Sequence, residues 1–283
     1  MEDLLKGAYD LHIHTAPDVV QRKCGDLELA RRLVHRGMAG CAIKNHYFDT
    51  AVRAKLLQEQ FPQLRVAGGV TLNRSVGGVN PDAVERSAQA GGKLVWFPTL
   101  EARSYQQYQH RNEPSADLSR FLSVCDEKGN LLPQALEVLD VATRHQMVVG
   151  TGHIGADEGM ALVRAAAERG CTVVLTHADN PADCYSIQQQ QEAVALGAYV
   201  EHSFFTTYHN RTSIEEIARQ IRAVGCEHVL LTTDFGQLNS LYSDEGMEEY
   251  ARVLMTQGFT AKELGIMMRQ VPERLLEGMS SAD

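Results

Sequence analysis

Glu168-Arg169-Gly170-Cys171-Thr172-Val173-Val174-Leu175-Thr176-His177 carries the fold in miniature. A helical pattern from Asp157 to Arg169 stops at Gly170, the residue best suited to a left-handed helix end. Two residues later a short apolar, β-branched run begins, the signature of a buried strand. That strand closes on a histidine. The phrase "helix, glycine, strand" recurs along the chain. Strands are expected over Tyr9 to His14, Gly40 to Asn45, Arg65 to Leu72, Lys93 to Thr99, Met147 to His153, Thr172 to His177, Ala198 to His202 and His228 to Asp234. Amphipathic helices are expected over Leu27 to Arg36, Thr50 to Gln60, Pro81 to Ala90, Pro133 to His145, Asp157 to Arg169, Ser186 to Leu196 and Ile214 to Val224, with Asp26, Asp49, Asn80 and Ser213 as caps.

About eight βα units in 283 residues predict one α/β domain over residues 1–283, a closed (β/α)8 TIM barrel. An open doubly wound sheet would carry a glycine-rich phosphate turn after its first strand. Here Ala16-Pro17-Asp18 follows it. The C-terminal helices, Asp244 to Gln257, Ala261 to Arg269 and Pro272 to Leu276, are expected to close the barrel, and to offer a surface for a homo-oligomer. The connection after strand four, residues 101–132, is long and polar. It reads as a lid or insert over the catalytic face, with a small turn at Cys125 to Leu131.

A net charge of −9 argues against nucleic acid, which requires clustered Lys and Arg. No apolar run reaches the roughly 20 residues of a membrane span, and Met1 to Lys6 lacks the pattern of a secretory leader. The six cysteines show no close pairing. The expectation is reduced thiols, a cytoplasmic protein and a small-molecule substrate.

In a parallel barrel, functional side chains stand at the C-terminal strand ends. Those ends read His12 and His14, then Lys44 and His46, then Asn73, then Thr99 and Glu101, then His153, His177, Glu201 with His202, and Asp234. Positions i and i+2 of a strand share a face, so His12 and His14 offer two nitrogens to one ion. Neutral imidazoles and carboxylates bind divalent metals. The expected metal ligands are His12, His14, His46, Glu101, His153, His177 and Asp234, for one or two ions, with zinc foremost and Mn, Fe or Ni as alternatives. Lys44 pairs with a carboxylate, binds an anionic substrate or is carbamylated into a ligand. Glu101 bridges two metals or belongs to the lid. Asn73, Arg74 and Arg103 are candidates for substrate contact. His35, His110, His145, His209 and His228 fall away from the strand ends and are assigned to no metal.

These residues resemble the amidohydrolase superfamily, metal-dependent hydrolases on a (β/α)8 barrel. The resemblance implies H-x-H on strand one, a carboxylated Lys or a Glu on strand four, His on strands five and six, and Asp on strand eight. His12, His14, His153, His177 and Asp234 match in order, and Val271-Pro272-Glu273-Arg274-Leu275-Leu276 is similar to the tail of such enzymes. Lys44-Asn45-His46-Tyr47, the stretch Leu72 to Pro81, Val95-Trp96-Phe97-Pro98-Thr99 and Thr233-Asp234-Phe235-Gly236-Gln237 resemble an uncharacterised branch of that superfamily. Strand four lacks the expected lysine, which leaves Glu101 or Lys44 as its replacement, or a single metal. Asp10-Leu11-His12-Ile13-His14-Thr15 also resembles the opening of PHP phosphoesterases, and Ala42 to His46 their second motif. Asn45 and Thr71 stand where that family has acids.

The implied activity is hydrolysis of an amide, lactone or related carbonyl by a metal-activated water. Asp234 would move the proton, and His177 or Lys44 would stabilise the oxyanion. The alternatives are a PHP-like phosphoesterase on the same metals and a catalytically silent, ligand-binding barrel.

Overall fold

The computed structural model describes residues 4–277; residues 1–3, part of the stretch read for a leader, and 278–283 lie outside the described residues. Eight parallel strands form a ring. They are β1 Tyr9–His14, β2 Gly40–Lys44, β3 in two pieces, Arg65–Ala67 and Gly69–Thr71, β4 Leu94–Trp96, β5 Val148–Gly150, β6 Val173–Leu175, β7 Tyr199–Ser203 and β8 Val229–Thr232. The first piece of β3 pairs with β2 and the second with β4, so the break at Gly68 leaves the ring continuous. Each later strand pairs with its successor. The ring closes beyond β8, where the Asp234 N–H donates to the His12 carbonyl at 2.9 Å and the His14 N–H to the Phe235 carbonyl at 2.8 Å.

The helices follow the strands as the glycine rhythm predicts. They are α1 Asp26–His35, α2 Ala51–Gln60, α3 Pro81–Gln89, α4 Arg103–Gln109, α5 Pro133–Arg144, α6 Ala156–Arg169, α7 Ile187–Ala195, α8 Phe204–Tyr208, α9 Ile214–Val224, α10 Ser243–Thr256, α11 Ala261–Gly265 and α12 Val271–Leu276. Asn80 and Ser213 cap α3 and α9 as expected. Asp26 does not cap α1. Gly25 holds that place, and the Asp26 carboxylate instead accepts from Thr15 and Arg53. Thr50, not Asp49, precedes α2. The helix expected over Ala261 to Arg269 is α-helical only to Gly265 and widens to a π-helix over Ile266–Gln270.

Two apolar cores result. The larger lies between the strands and the surrounding helices. The smaller fills the barrel, where Tyr9, Leu11, Leu94, Trp96, Val148, Val174 and Leu230 pack on Val271, Leu275 and Leu276 of α12. The C-terminal helix therefore plugs one end of the barrel and leaves the other to polar side chains. Residues 101–132 are not all loop. They contain α4, a bridge from Ala102 to Leu122 and a turn closed by Cys125 against Leu131. All six cysteines are unpaired. Among the described residues, no helix is long and apolar enough to cross a membrane.

Candidate metal centre

β1 contains an irregularity that aims the centre. Asp10 pairs with Cys41, yet Ile13 pairs with Ile43, so three steps on β1 face two on β2. An extra residue shifts the side-chain alternation by one. Leu11 faces the barrel core, and after the shift His12 and His14 face inward as well, while Asp10 is turned toward α10. Without the shift, the rings would follow Asp10 outward.

Inside, donors converge. Asp234 Oδ1 lies 3.1 Å from His12 Nε2 and 3.1 Å from His14 Nε2. Ligand atoms of these three buried residues all lie within 4.8 Å of one another. The other rings stand around them. His46 stacks on His14 with centroids 4.7 Å apart, His177 lies 5.9 Å from His12, and His153 lies 4.8 Å from His177. Asp234 and His177 both sit in the left-handed backbone region, at φ 54° and 30°. Non-glycine residues there carry strain of about 1–3 kcal/mol each, and such strain concentrates at working sites.

Several rings are held by a partner on the nitrogen turned away from the cluster. His12 Nδ1 lies 2.6 Å from Glu201 Oε1, which also accepts from Thr232. His177 Nδ1 lies 2.5 Å from Asp183 Oδ2, and His46 Nδ1 lies 2.8 Å from Thr99 Oγ1. Metal-binding histidines are commonly oriented in this manner. Burial holds His14 down to about 3 and His46 and His153 well below the ordinary imidazole value. These rings are therefore neutral, as ligands must be. His12 behaves differently. Burial opposes its charge, but Asp234 and Glu201 raise it to about 9. His12 and His14 in turn hold Asp234 well below the carboxylate range against the effect of burial.

The donor set fits a divalent cation. Two imidazole nitrogens and a carboxylate oxygen share one volume, and His153 Nδ1 is buried without a hydrogen-bond partner. An unpaired buried polar atom is costly unless something satisfies it. Lys44 enters the same volume. Its Nζ lies 3.0 Å from His12 Nε2 and 5.2 Å from the Trp96 ring centroid, and burial pushes its pKa down.

The remaining expected residues are dispersed. Among the described residues, no contact joins Glu101 to the histidines; its carboxylate accepts the Arg74 N–H at 2.6 Å. Arg74 and Arg103 donate to carbonyls of the 101–132 segment at Arg120 and Phe121. Asn73 is buried and bonds the His46 carbonyl and Thr99, so it braces the loop that carries His46. His202, beside Glu201, faces away and pairs with Asp179 at 2.8 Å. His110 and His145 pair with Glu113 and Glu85 outside the cluster. Asp183 and Arg22 were not expected here, and Glu201, read at a strand end, was assigned no role. Glu201 had a signal, since alternation with His202 sends one of the pair inward. Asp183 and Arg22 lie in loops, where spacing says nothing of direction.

Fold and strand-end donors together define a parallel (β/α)8 barrel with a buried His–His–Asp cluster at its polar end. The chain belongs to the family of unknown function DUF6282, whose model matches residues 7–201. No curated protein sequence matches it. Among solved structures it is similar to an amidohydrolase of Pseudomonas aeruginosa, with TM-score 0.65 and 11% identity over 97% of this chain and 96% of that one. It is also similar to the phosphotriesterase homology protein of Escherichia coli, at 0.60 and 14% over 95% and 98%. A third is a candidate 2-pyrone-4,6-dicarboxylic acid hydrolase of Pseudomonas putida, at 0.58 and 16% over 97% and 99%. At these identities the likeness establishes the fold.

Proposed function

We propose that this protein is a metal-dependent hydrolase of a small amide, lactone or related carbonyl compound. The observation that carries the reading is the convergence of His12, His14 and Asp234 within 4.8 Å at the polar end of the barrel. The fold likeness to hydrolases supports it. His12, His14 and Asp234 would hold one ion, and the His46, His153 and His177 rings stand around them. Imidazole with carboxylate suits zinc first, then Mn, Fe or Ni. Such an ion supplies a water of pKa about 7 and polarises the scissile oxygen.

The chain's own groups perform the rest. Asp234 Oδ2 has no protein partner among the described residues and the carboxylate is 14% exposed, so it is free to take a proton and return it to the leaving group. Lys44 and His177, both buried, are the groups placed to stabilise the developing oxyanion. Asp183, against burial, raises the pKa of His177. Residues 101–132 would cover the site, since Ser104 Oγ donates to the His153 carbonyl at 2.9 Å and the Tyr105 ring lies 4.9 Å from the His153 ring. A PHP-like phosphoesterase gains less support. Asn45, at one acid position of that family, closes a turn by accepting from Tyr47 and Phe48.

The test is metal analysis of protein purified without chelator, with a screen of amides, lactones and phosphoesters. The expected result is one or two equivalents of zinc, lost in His12→Ala. Asp234→Asn should keep the fold and lose hydrolysis by about 10²–10⁴-fold. Wild-type protein that takes up no metal at micromolar zinc, with His12→Ala changing nothing, would overturn the proposal.

A further inference from the structure

We infer that Arg22 is the receptor for a carboxylate on the substrate, an inference that rests on the hydrolase reading and narrows its substrates to anionic ones. Arg22 lies in the loop between β1 and α1, and its side chain is only 6% exposed. One edge of the guanidinium is fixed. Its Nε donates at 2.7 Å to the fully buried carboxylate of Asp18, four residues earlier. Its Nη2 lies 3.4 Å from His14 Nδ1, on the side of that ring opposite Asp234. Among the described residues Asp18 and His14 are the protein acceptors that meet the guanidinium, and Nη1 has none.

A guanidinium has five N–H donors in a planar fork. Largely buried, it meets two protein acceptors with its five donors, so a ligand's oxygens would find N–H groups free. The fork matches two coplanar carboxylate oxygens. The loop is held rigidly for this purpose. Ala16 N donates to Cys24 O at 2.9 Å, Lys23 N to Gly236 O at 2.8 Å, and Arg53 bonds Thr15 and Asp26 beneath. Arg22 is thereby fixed relative to both β1 and the loop after β8. An anion on Arg22 and a carbonyl at Asp234 would be separated by the width of the His14 ring. The substrate would then carry its carboxylate within a few bonds of the scissile group. A phosphoryl group offers similar oxygens, and the test separates the two.

Malonate, malonamide and inorganic phosphate are titrated calorimetrically into zinc-loaded and chelated protein, as wild type, Arg22→Met and Arg22→Lys. Zinc content and thermal midpoint are recorded for each. The expected result is malonate binding at least tenfold weaker in Arg22→Met and partly restored in Arg22→Lys, with zinc content unchanged and no Arg22 dependence for malonamide. Arg22-dependent binding of phosphate tighter than malonate would overturn the carboxylate assignment in favour of a phosphoryl group. Equal anion affinities in wild type and both variants, or no anion binding by wild type, would overturn the site. Should Arg22→Met fail to fold, the Arg22→Lys comparison and the malonate–malonamide difference in wild type still decide. Wild type that takes up no zinc yet binds malonate through Arg22 would defeat the metal reading while leaving the anion site standing.

Discussion

Asp10 receives four hydrogen bonds, from Thr233 N–H and Oγ1 at 3.1 and 2.5 Å, from Ser243 Oγ at 2.7 Å and from His12 N–H at 3.3 Å. It ties β1 to the end of β8 and to α10, which is the seam where the ring closes. Burial raises its carboxyl to about 6 even against these donors. Asp10→Ala leaves buried donors unsatisfied and should cost about 3 kcal/mol, whereas Asp10→Asn keeps acceptors and should cost about 1 kcal/mol. Urea unfolding midpoints measure both; equal, small losses would mean that the seam holds without Asp10. Single residues also show what the sequence conceals. His12, His14, Lys44, His153, His177 and Asp234 were located by their strand ends, and the barrel brings them together. Their partners Glu201 and Asp183 were not assigned, because a carboxylate that orients a ring sits at no fixed spacing from it. Glu101 looked like a ligand because it follows strand four. Past Pro98 and Thr99 the chain has already turned, and its carboxylate meets the Arg74 backbone instead.

The regular elements were legible because glycine punctuation and apolar periodicity agree across them. What escaped lacked one signal or the other. The β3 break at Gly68 falls inside a continuous apolar run, and α4, with its Tyr-Gln-Gln-Tyr-Gln core, has no apolar stripe. The extra residue in β1 leaves no mark either, although it decides where both histidines point. At the other side of that seam, Gly236 has φ 146°, and a Cβ there would overlap the His14 carbonyl. Gly236→Ala must push β8 and β1 apart or change its backbone region. The expected loss is about 1–3 kcal/mol of stability. It should be accompanied by weaker zinc binding, because His14 and Asp234 lie on the two segments displaced. Thermal unfolding together with a zinc competition titration checks this. A stability loss with unchanged zinc affinity would show that the seam does not set the position of the donors.

For the molecule as a whole, the strand ends that build the site come from both ends of the sequence, so the centre exists only when the ring is closed. His12 and Asp234 are more than two hundred residues apart, and an unfolded chain cannot hold one ion between them. Zinc should therefore act as a ligand of the folded state alone. At a thousand times its dissociation constant, such a ligand stabilises by about 4 kcal/mol. For a chain of this size that corresponds to a rise in thermal midpoint of about 10 °C. Chelation should remove the rise and zinc should restore it. His12→Ala should start near the midpoint of the chelated wild type, since it also releases Lys44 and Glu201 from their shared ring, and should gain nothing from zinc. Malonate added to the zinc-loaded protein should raise the midpoint further, and Arg22→Met should cancel only that second increment. Two increments that disappear separately, one with His12 and one with Arg22, would distinguish a metal centre with its own anion receptor from a barrel whose polar end is merely cationic.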